Sequence, residues 1–436
     1  MNDNSMDRRT FCLDMGRLVG GLAVLSSAPW LHGCTEESIA GIGKEVARIG
    51  MIGVGSRGQY HMHNLQGIPH ARIVALCDTY PVNLEAAHAL CPDAKTYSDY
   101  RALLEDPEID GVVISTPLYN HAVITLDAMA AGKHVFCEKS MALTMDECKS
   151  VYDAYMASDR VLFYGMQRMY DPKYIEGVQR IREGLIGDVV GMRCHWFRNA
   201  DWRRPVPSPE LEQSINWRLY RAYSGGLMTE LATHQLEVCN WVAGKVPVEC
   251  VGMGDIVYWK DGREDYDSVN VTYRYSDGRK ICYESLISNK YNGLEEQVLG
   301  QKGTADLSKS FYYLEDDNEI SGMRHLMDDI RKGVFAAVPS AGPSWRPEYK
   351  GEYVPHQLAS EVLGVNAGQS MVSAMHDGSD LAMSAFCTSC INGERAANIV
   401  EEAYSSTMLC LLGNQAMDEG RLVRFPEEYK IPYLKF

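Results

Sequence analysis

The chain has 436 residues, 46% of them hydrophobic, and a formal charge of −16 from 42 basic against 58 acidic side chains. At roughly 150 residues per domain, that is length for two domains with real cores. Acidity of this size argues against a nucleic-acid partner, since phosphate binding needs clustered Lys and Arg, and points to a neutral or weakly charged small molecule.

The first 34 residues stand apart from the rest. Paired arginines, Arg8 and Arg9, precede a modest apolar run that ends in Leu31, His32, Gly33 and Cys34. Charge, then an apolar stretch, then a small residue before a cysteine is the order of an export signal. The arginine pair resembles a twin-arginine signal and the ending resembles a bacterial lipobox, which implies acylation at Cys34 and an exported, periplasmic or cell-envelope lipoprotein. The run is shorter than the about 20 apolar residues a retained membrane helix needs. Of the 13 cysteines, 11 follow Cys34. They are scattered through strand-like segments such as "IVALCD" and "KHVFCEK" rather than spaced as a disulfide framework, so buried thiols are expected. Cys387 and Cys390 have no second pair or nearby histidine, and no metal site is predicted.

Residues 35–46 read as a short linker. From 47 to 166, apolar runs of five to eight residues alternate with helical periods: "ARIGMIGVG", "ARIVALCD", "IDGVVISTP" and "KHVFCEKS", each followed by a helix. That alternation predicts an α/β fold whose first domain is a doubly wound parallel sheet covered on both faces. Beyond 166 the strands lengthen and partly alternate, with a hairpin turn at Ser276, Asp277 and Gly278. Residues 167–436 are therefore expected to form an α/β domain with a large open, mainly antiparallel sheet. Residues 309–380 are aromatic, Pro-containing and poorly periodic, and are read as an insertion on the surface.

"MIGVGSRG" carries Gly53, Gly55 and Gly58 at G-x-G-x-x-G spacing, after a strand and opening a helix, with Asp78 at the tip of the next strand, 20 residues beyond Gly58. This context makes the spacing a dinucleotide site. Backbone amides of the turn, with Ser56 and Arg57, approach a pyrophosphate at a helix N-terminus. Asp78 accepts from the adenosine ribose and repels a 2′-phosphate, favouring NAD. Ligands of such sheets sit beyond the carboxyl ends of the strands. That adds Thr116, Pro117, Asn120 and His121 of "STPLYNH", Glu138 and Lys139 of "CEKS", and Gln167. In "GGLMTELATHQLEVCNWV", 225–242, Glu230 and His234 stand four apart on one face of an otherwise apolar helix.

Taken together, "GVGSRG", "STPLYNH", "CEKS", "GGLMTELATHQLE" and the late "FCTSCINGERAANIVEEAYSS" resemble the Gfo/Idh/MocA oxidoreductases over residues 47–430. The resemblance implies a Rossmann domain, a second domain that oligomerises through its open sheet, and catalytic roles for Lys139 and His234. The chain departs from the family pattern with Ser140 for proline and Glu230 for aspartate. "DWRRPVP" and "NWRLYRAYSGG" bring it nearest the exported NAD-dependent glycosidases typified by α-N-acetylgalactosaminidase and related sugar oxidoreductases. That likeness implies cofactor contact for Trp217 and Arg218. It also makes Tyr170, Trp202, Arg203, Arg204, Tyr220 and Tyr223 candidates for sugar contact, with structural packing the other reading for each.

Hydride transfer from a sugar carbon needs a base for the attached hydroxyl. An imidazole titrates in the right range, so His234 takes that role. Lys139 steadies the developing alkoxide, and Glu230 either bonds the substrate or tunes the imidazole. An exported enzyme has no free NAD pool, so its cofactor must stay bound and the hydride must return on site. The expectation is a sugar or glycoside oxidoreductase with tightly held NAD acting at a ring hydroxyl, C3 by preference. The alternatives are a redox-neutral NAD-dependent glycosidase and a catalytically silent sugar-binding lipoprotein. A homo-oligomer, dimer or tetramer, is expected.

Overall fold

The computed structural model describes residues 45–314, 369–370 and 378–436. The signal expected at 1–34, Cys34 included, lies outside the described residues, as does most of the linker. Strands β1 (Ala47–Ile52), β2 (Ala71–Cys77), β3 (Lys95–Tyr97), β4 (Gly111–Ile114), β5 (His134–Cys137) and β6 (Leu162–Tyr164) form a parallel sheet in the order β3-β2-β1-β4-β5-β6. Helices α1 (Ser56–Gln66), α2 (Pro81–Leu90), α3 (Tyr100–Leu104), α4 (His121–Ala130) and α5 (Met145–Ala157) connect them. β4 and β6 are buried at every residue, as a sheet covered on both faces requires. The order reverses between β1 and β4, the switch point beyond whose strand ends ligands of such sheets bind.

Helix α6 (Pro172–Arg182) leads into the second sheet. Its nine strands are β7 (Val189–Phe197), β8 (Glu249–Asp255), β9 (Ser268–Arg274), β10 (Lys280–Leu286), β11 (Leu294–Gly300), β12 (Gly303–Asp306), β13 (Phe311–Leu314), β14 (Gln369–Ser370) and β15 (Val423–Arg424). They lie in the order β14-β13-β12-β11-β7-β10-β9-β8-β15, antiparallel except where β10 runs parallel to β7. The β9–β10 hairpin closes at the expected turn, where Gly278 takes φ +89°. Buried and exposed residues alternate along both strands, so one face is covered and the other open. Helices α7 (Thr233–Ala243) and α9 (Ile399–Glu419) pack on each other, and α9 lies on β8. Val251 and Met253 stand exposed on the open face.

Residues 311–314 and 369–370 pair as strands of this sheet rather than forming the surface excursion expected of them. A four-residue strand is too short for its period to register, although Phe311, Tyr312 and Tyr313 favour a pleated surface. Residues 315–368 and 371–377 lie outside the described residues. Helix α8 (Ser379–Asn392) returns to the first sheet and packs on α1 and β1, with Phe386 edge-on to Phe136 and Phe163, each at 5.7 Å. None of the described cysteines is in a disulfide, and all are buried except Cys91 and Cys282. Among the described residues, no cluster of His, Cys, Asp and Glu is arranged to hold a metal, and no helix is long and apolar enough to cross a membrane.

Candidate active site

The glycine turn is built by close approach. Gly53 takes φ +84°, and a Cβ there would lie 2.8 Å from the Ser115 carbonyl and the Thr116 amide at the tip of β4. A Cβ on Gly58 would meet the Gly53 carbonyl at 2.1 Å, so helix and strand pack without a side chain between them. Gly55 differs: its nearest neighbour is the Asn83 side-chain nitrogen at 3.5 Å, and it opens α1 without a side-chain cap. A first helical turn without a side-chain cap is what a pyrophosphate needs. At the tip of β2, the Asp78 carboxylate accepts from the amides of Val54 and Tyr80 and from the Asn83 side chain, at 2.8–3.2 Å. On the β4 side, the Ser115 and Thr116 hydroxyls are buried without partners. Pro117 caps and Asn120 ends the short turn Leu118–Asn120, and the His121 ring bridges the carbonyls of Ser140 (2.7 Å) and Thr116 (3.0 Å). Burial lowers the His121 pKa below the usual imidazole value, against the pull of those two carbonyls.

At the tip of β5, two neighbouring charges have different fates. Glu138 accepts from Arg57 Nε at 2.7 Å and lies 2.6 Å from His61 Nε2. Burial works to raise its pKa, but the charges and hydrogen bonds of Arg57 and His61 outweigh it and hold Glu138 well below the usual carboxylate range. Arg57 and Glu138, both cofactor candidates, thus bind each other. His61 was not foreseen, although it follows Arg57 by one helical turn. The next residue, Lys139, donates to the carbonyls of Glu230 (2.8 Å) and Thr229 (3.2 Å). The Lys139–Ser140 peptide is cis.

Those carbonyls belong to a π turn, Met228–Ala232, which runs into α7. The sequence pattern predicts an uninterrupted α-helix here. The wider π turn loosens the regular bonding and turns carbonyls outward, where the lysine finds them. Glu230 is ion-paired with Arg218 Nε at 2.6 Å, and the Arg218 guanidinium lies 4.2 Å from the centre of the Trp217 ring. Burial would raise the Glu230 pKa, but Arg218 and Lys139 lower it below the usual value. His234 is only 6% exposed, its Nδ1 sealed and unpartnered, with the Trp196 ring 6.3 Å away. Burial, then the charges of Arg168 and Lys139, hold its pKa well below 6.5, with Glu138 working the other way. The imidazole is therefore neutral at neutral pH, but as a weaker base than its residue type alone implies. Lys139 and Arg218 both meet the π turn at Glu230, the lysine on its carbonyl and the guanidinium on its carboxylate, with His234 four residues further on; the Gln167 side-chain oxygen is buried without a partner.

The sugar candidates divide. Tyr170 is 5% exposed and stacked on Phe163, a core residue rather than a cleft wall. Arg203 is held by Asp261 and Glu212, and Tyr220 donates to Glu212 at 2.8 Å. Trp202, at φ +59°, packs against the core. The Arg204 backbone is clasped by the Asn216 side chain, which leaves its guanidinium exposed. Tyr223 donates to Gln213 at 2.9 Å and meets Tyr119 edge-on at 4.9 Å, so it touches the β4 loop across the crevice. Tyr119 lies inside "STPLYNH" but was not singled out.

Residues 47–166 match an oxidoreductase family with an NAD-binding Rossmann fold, and residues 176–306 match the C-terminal domain of the same Gfo/Idh/MocA family. Together the matches take in more than half of the chain, which belongs to the Gfo/Idh/MocA oxidoreductases, with NAD as cofactor. Myo-inositol 2-dehydrogenase of Thermotoga maritima is 26% identical over 286 residues, 64% of this chain and 81% of that protein. Levoglucosan dehydrogenase of Pseudarthrobacter phenanthrenivorans is 29% identical over 208 residues, 45% of this chain and 51% of that protein. Among solved structures, levoglucosan dehydrogenase in complex with NADH and levoglucosan superposes with a TM-score of 0.64 at 18% identity, covering 87% of this chain and 100% of that one. At that identity the likeness speaks for the fold. The residues present fit the cofactor: an uncapped glycine turn, a carboxylate at the tip of β2, and orphaned hydroxyls at the tip of β4.

Proposed function

We propose that the protein oxidises and reduces a ring hydroxyl of a sugar, polyol or glycoside, with NAD held tightly and the hydride returned on the same protein. The observation that carries this is the aim of Lys139. An ammonium has three donors; two are fixed on the Thr229 and Glu230 carbonyls, which leaves one for a ligand in the crevice. Relatives named as inositol and levoglucosan dehydrogenases support a polyhydroxylated substrate.

NAD, when bound along Gly53 to Gly58 and Asp78, supplies the hydride acceptor. His234 takes the hydroxyl proton at Nε2, since Nδ1 is sealed. Lys139 donates to the oxygen as its charge grows, and Glu230, paired to Arg218, steadies the substrate side of the π turn. A low-affinity imidazole readily gives the proton back, which suits a cycle run in both directions on one site. Arg204 and Tyr223 contact the sugar, and C3 is the preferred carbon. Export and a lipid anchor at Cys34, read from the sequence signal, require the cofactor to be reset in place. A second copy docks on the open face bearing Val251 and Met253, which sedimentation of the purified protein checks.

The test is to incubate the purified holoprotein with a panel of polyols, monosaccharides and glycosides, following bound-cofactor absorbance and product masses. A lasting keto product is the expected result. Free reducing sugar without net cofactor change would replace it with the redox-neutral glycosidase, and silence across the panel would leave a sugar-binding lipoprotein.

A further inference from the structure

Lys139 is carried by the first sheet and His234 by a helix packed under the second, so their separation depends on how two independently built halves meet. The residue after Lys139 is Ser140, and the residue before His234 is Thr233. Their hydroxyl oxygens lie 2.5 Å apart, and both residues are buried, at 1% and 0% exposure. Each hydroxyl also reaches the Thr229 carbonyl, Ser140 Oγ at 3.0 Å and Thr233 Oγ1 at 2.9 Å, where Lys139 Nζ arrives at 3.2 Å. One carbonyl of the π turn is thus the meeting point of the lysine and of both hydroxyls. With one hydrogen apiece, the two hydroxyls satisfy two of the three contacts they make with each other and with that carbonyl, and Thr233 Oγ1 also lies 3.4 Å from Cys410 Sγ.

We propose that Ser140 and Thr233 form a hydroxyl yoke joining the lysine loop to the histidine helix and fixing the Lys139 ammonium against the π-turn carbonyls. They are positioning residues, since neither reaches the crevice. A residue without a hydroxyl at 140, such as the proline of the family pattern, makes no such tie. The backbone on either side of Ser140 is held separately, by His121 on its carbonyl and by Thr407 on the Met141 amide at 3.0 Å. The hydroxyl pair is therefore a link to the helix rather than the only support of the loop. As a role in turnover, this rests on the functional reading above; as a statement about Lys139, it does not.

The experiment compares holoprotein carrying Ser140→Ala, Thr233→Val or both, with Thr233→Ser as the variant that keeps a hydroxyl. Two quantities are read: the single-turnover rate of cofactor reduction by a sugar active in the unaltered protein, and the rate at which Lys139 is reductively methylated, followed by peptide mass. Each hydroxyl deletion should slow turnover on the order of tenfold or more with KM little changed and raise Lys139 methylation. The double variant should be no worse than the poorer single, since both remove one device. Thr233→Ser should behave as the unaltered protein. Folded variants with unchanged rate and methylation, or with losses that simply add, overturn the proposal. If no sugar reduces the cofactor even in the unaltered protein, the functional reading fails, and methylation of Lys139 still decides the yoke.

Discussion

One lysine stands at each end of β5. Lys133, just before the strand, is 7% exposed and donates to the carbonyls of Asp106 (2.7 Å) and Ile109 (3.0 Å). Lys139, just after it, also grips two carbonyls, yet it is only half-buried and its carbonyls come from the other domain. The local device is the same. At the amino end of a parallel sheet it closes a loop; at the carboxyl end it faces the crevice where ligands bind. Position along the strand, rather than residue type, separates the structural lysine from the one proposed to act on substrate.

The largest effects should come from the carboxyl end. His234→Ala is expected to lower turnover by about 10²–10⁴ and Lys139→Ala by about 10²–10³, each with NAD still bound in the purified protein; near-normal rates in both would erase the contrast. Lys133→Met should do the opposite. By leaving the Asp106 and Ile109 carbonyls without their donor it should cost about 1–3 kcal/mol of stability, visible as a lower Tm, while the folded fraction turns over normally.

Acid should separate the crevice from the rest of the fold. His234 and His121 both have pKa values lowered by burial. The unfolded chain takes up protons at these residues as pH falls through about 6.5, and the folded chain does not, so each destabilises the fold progressively below that point. Melting temperature should therefore fall from pH 7 to 5, and His234→Gln should remove part of the fall while His121 keeps the remainder. An identical acid slope in the variant would mean that the imidazole is not held neutral. The smallest effect belongs to the cofactor end. Asp78→Ala should relax the preference for NAD over its 2′-phosphorylated form on the order of tenfold, about 1.4 kcal/mol, measured by competitive cofactor uptake.

Much of this was legible along the chain. The strand and helix alternation and the glycine turn with Asp78 follow from local patterns, whereas the pairing of Lys139 with the Glu230 and His234 helix rests on the family resemblance. Other features depend on partners distant in sequence. Arg57 and Glu138 are 81 residues apart and neutralise each other, while Arg203 is captured by Asp261, 58 residues on. Tyr170 looks like a cleft aromatic until Phe163 is seen beneath it. Helix α8 falls in sequence between β14 and β15 of the second sheet yet covers the first, because its apolar Phe386 fits against Phe136 and Phe163.

By itself, the order of residues determined the period of each element, the sharp turn that only glycines permit, and which side chains carry titratable or cationic groups, because these depend on neighbours a few positions away. Only the tertiary structure decided which charges cancel, how low the imidazole titrates, and that a π turn presents its carbonyls to a lysine from the other sheet. Burial and Coulomb interaction depend on distance in space, and the folded chain sets that distance.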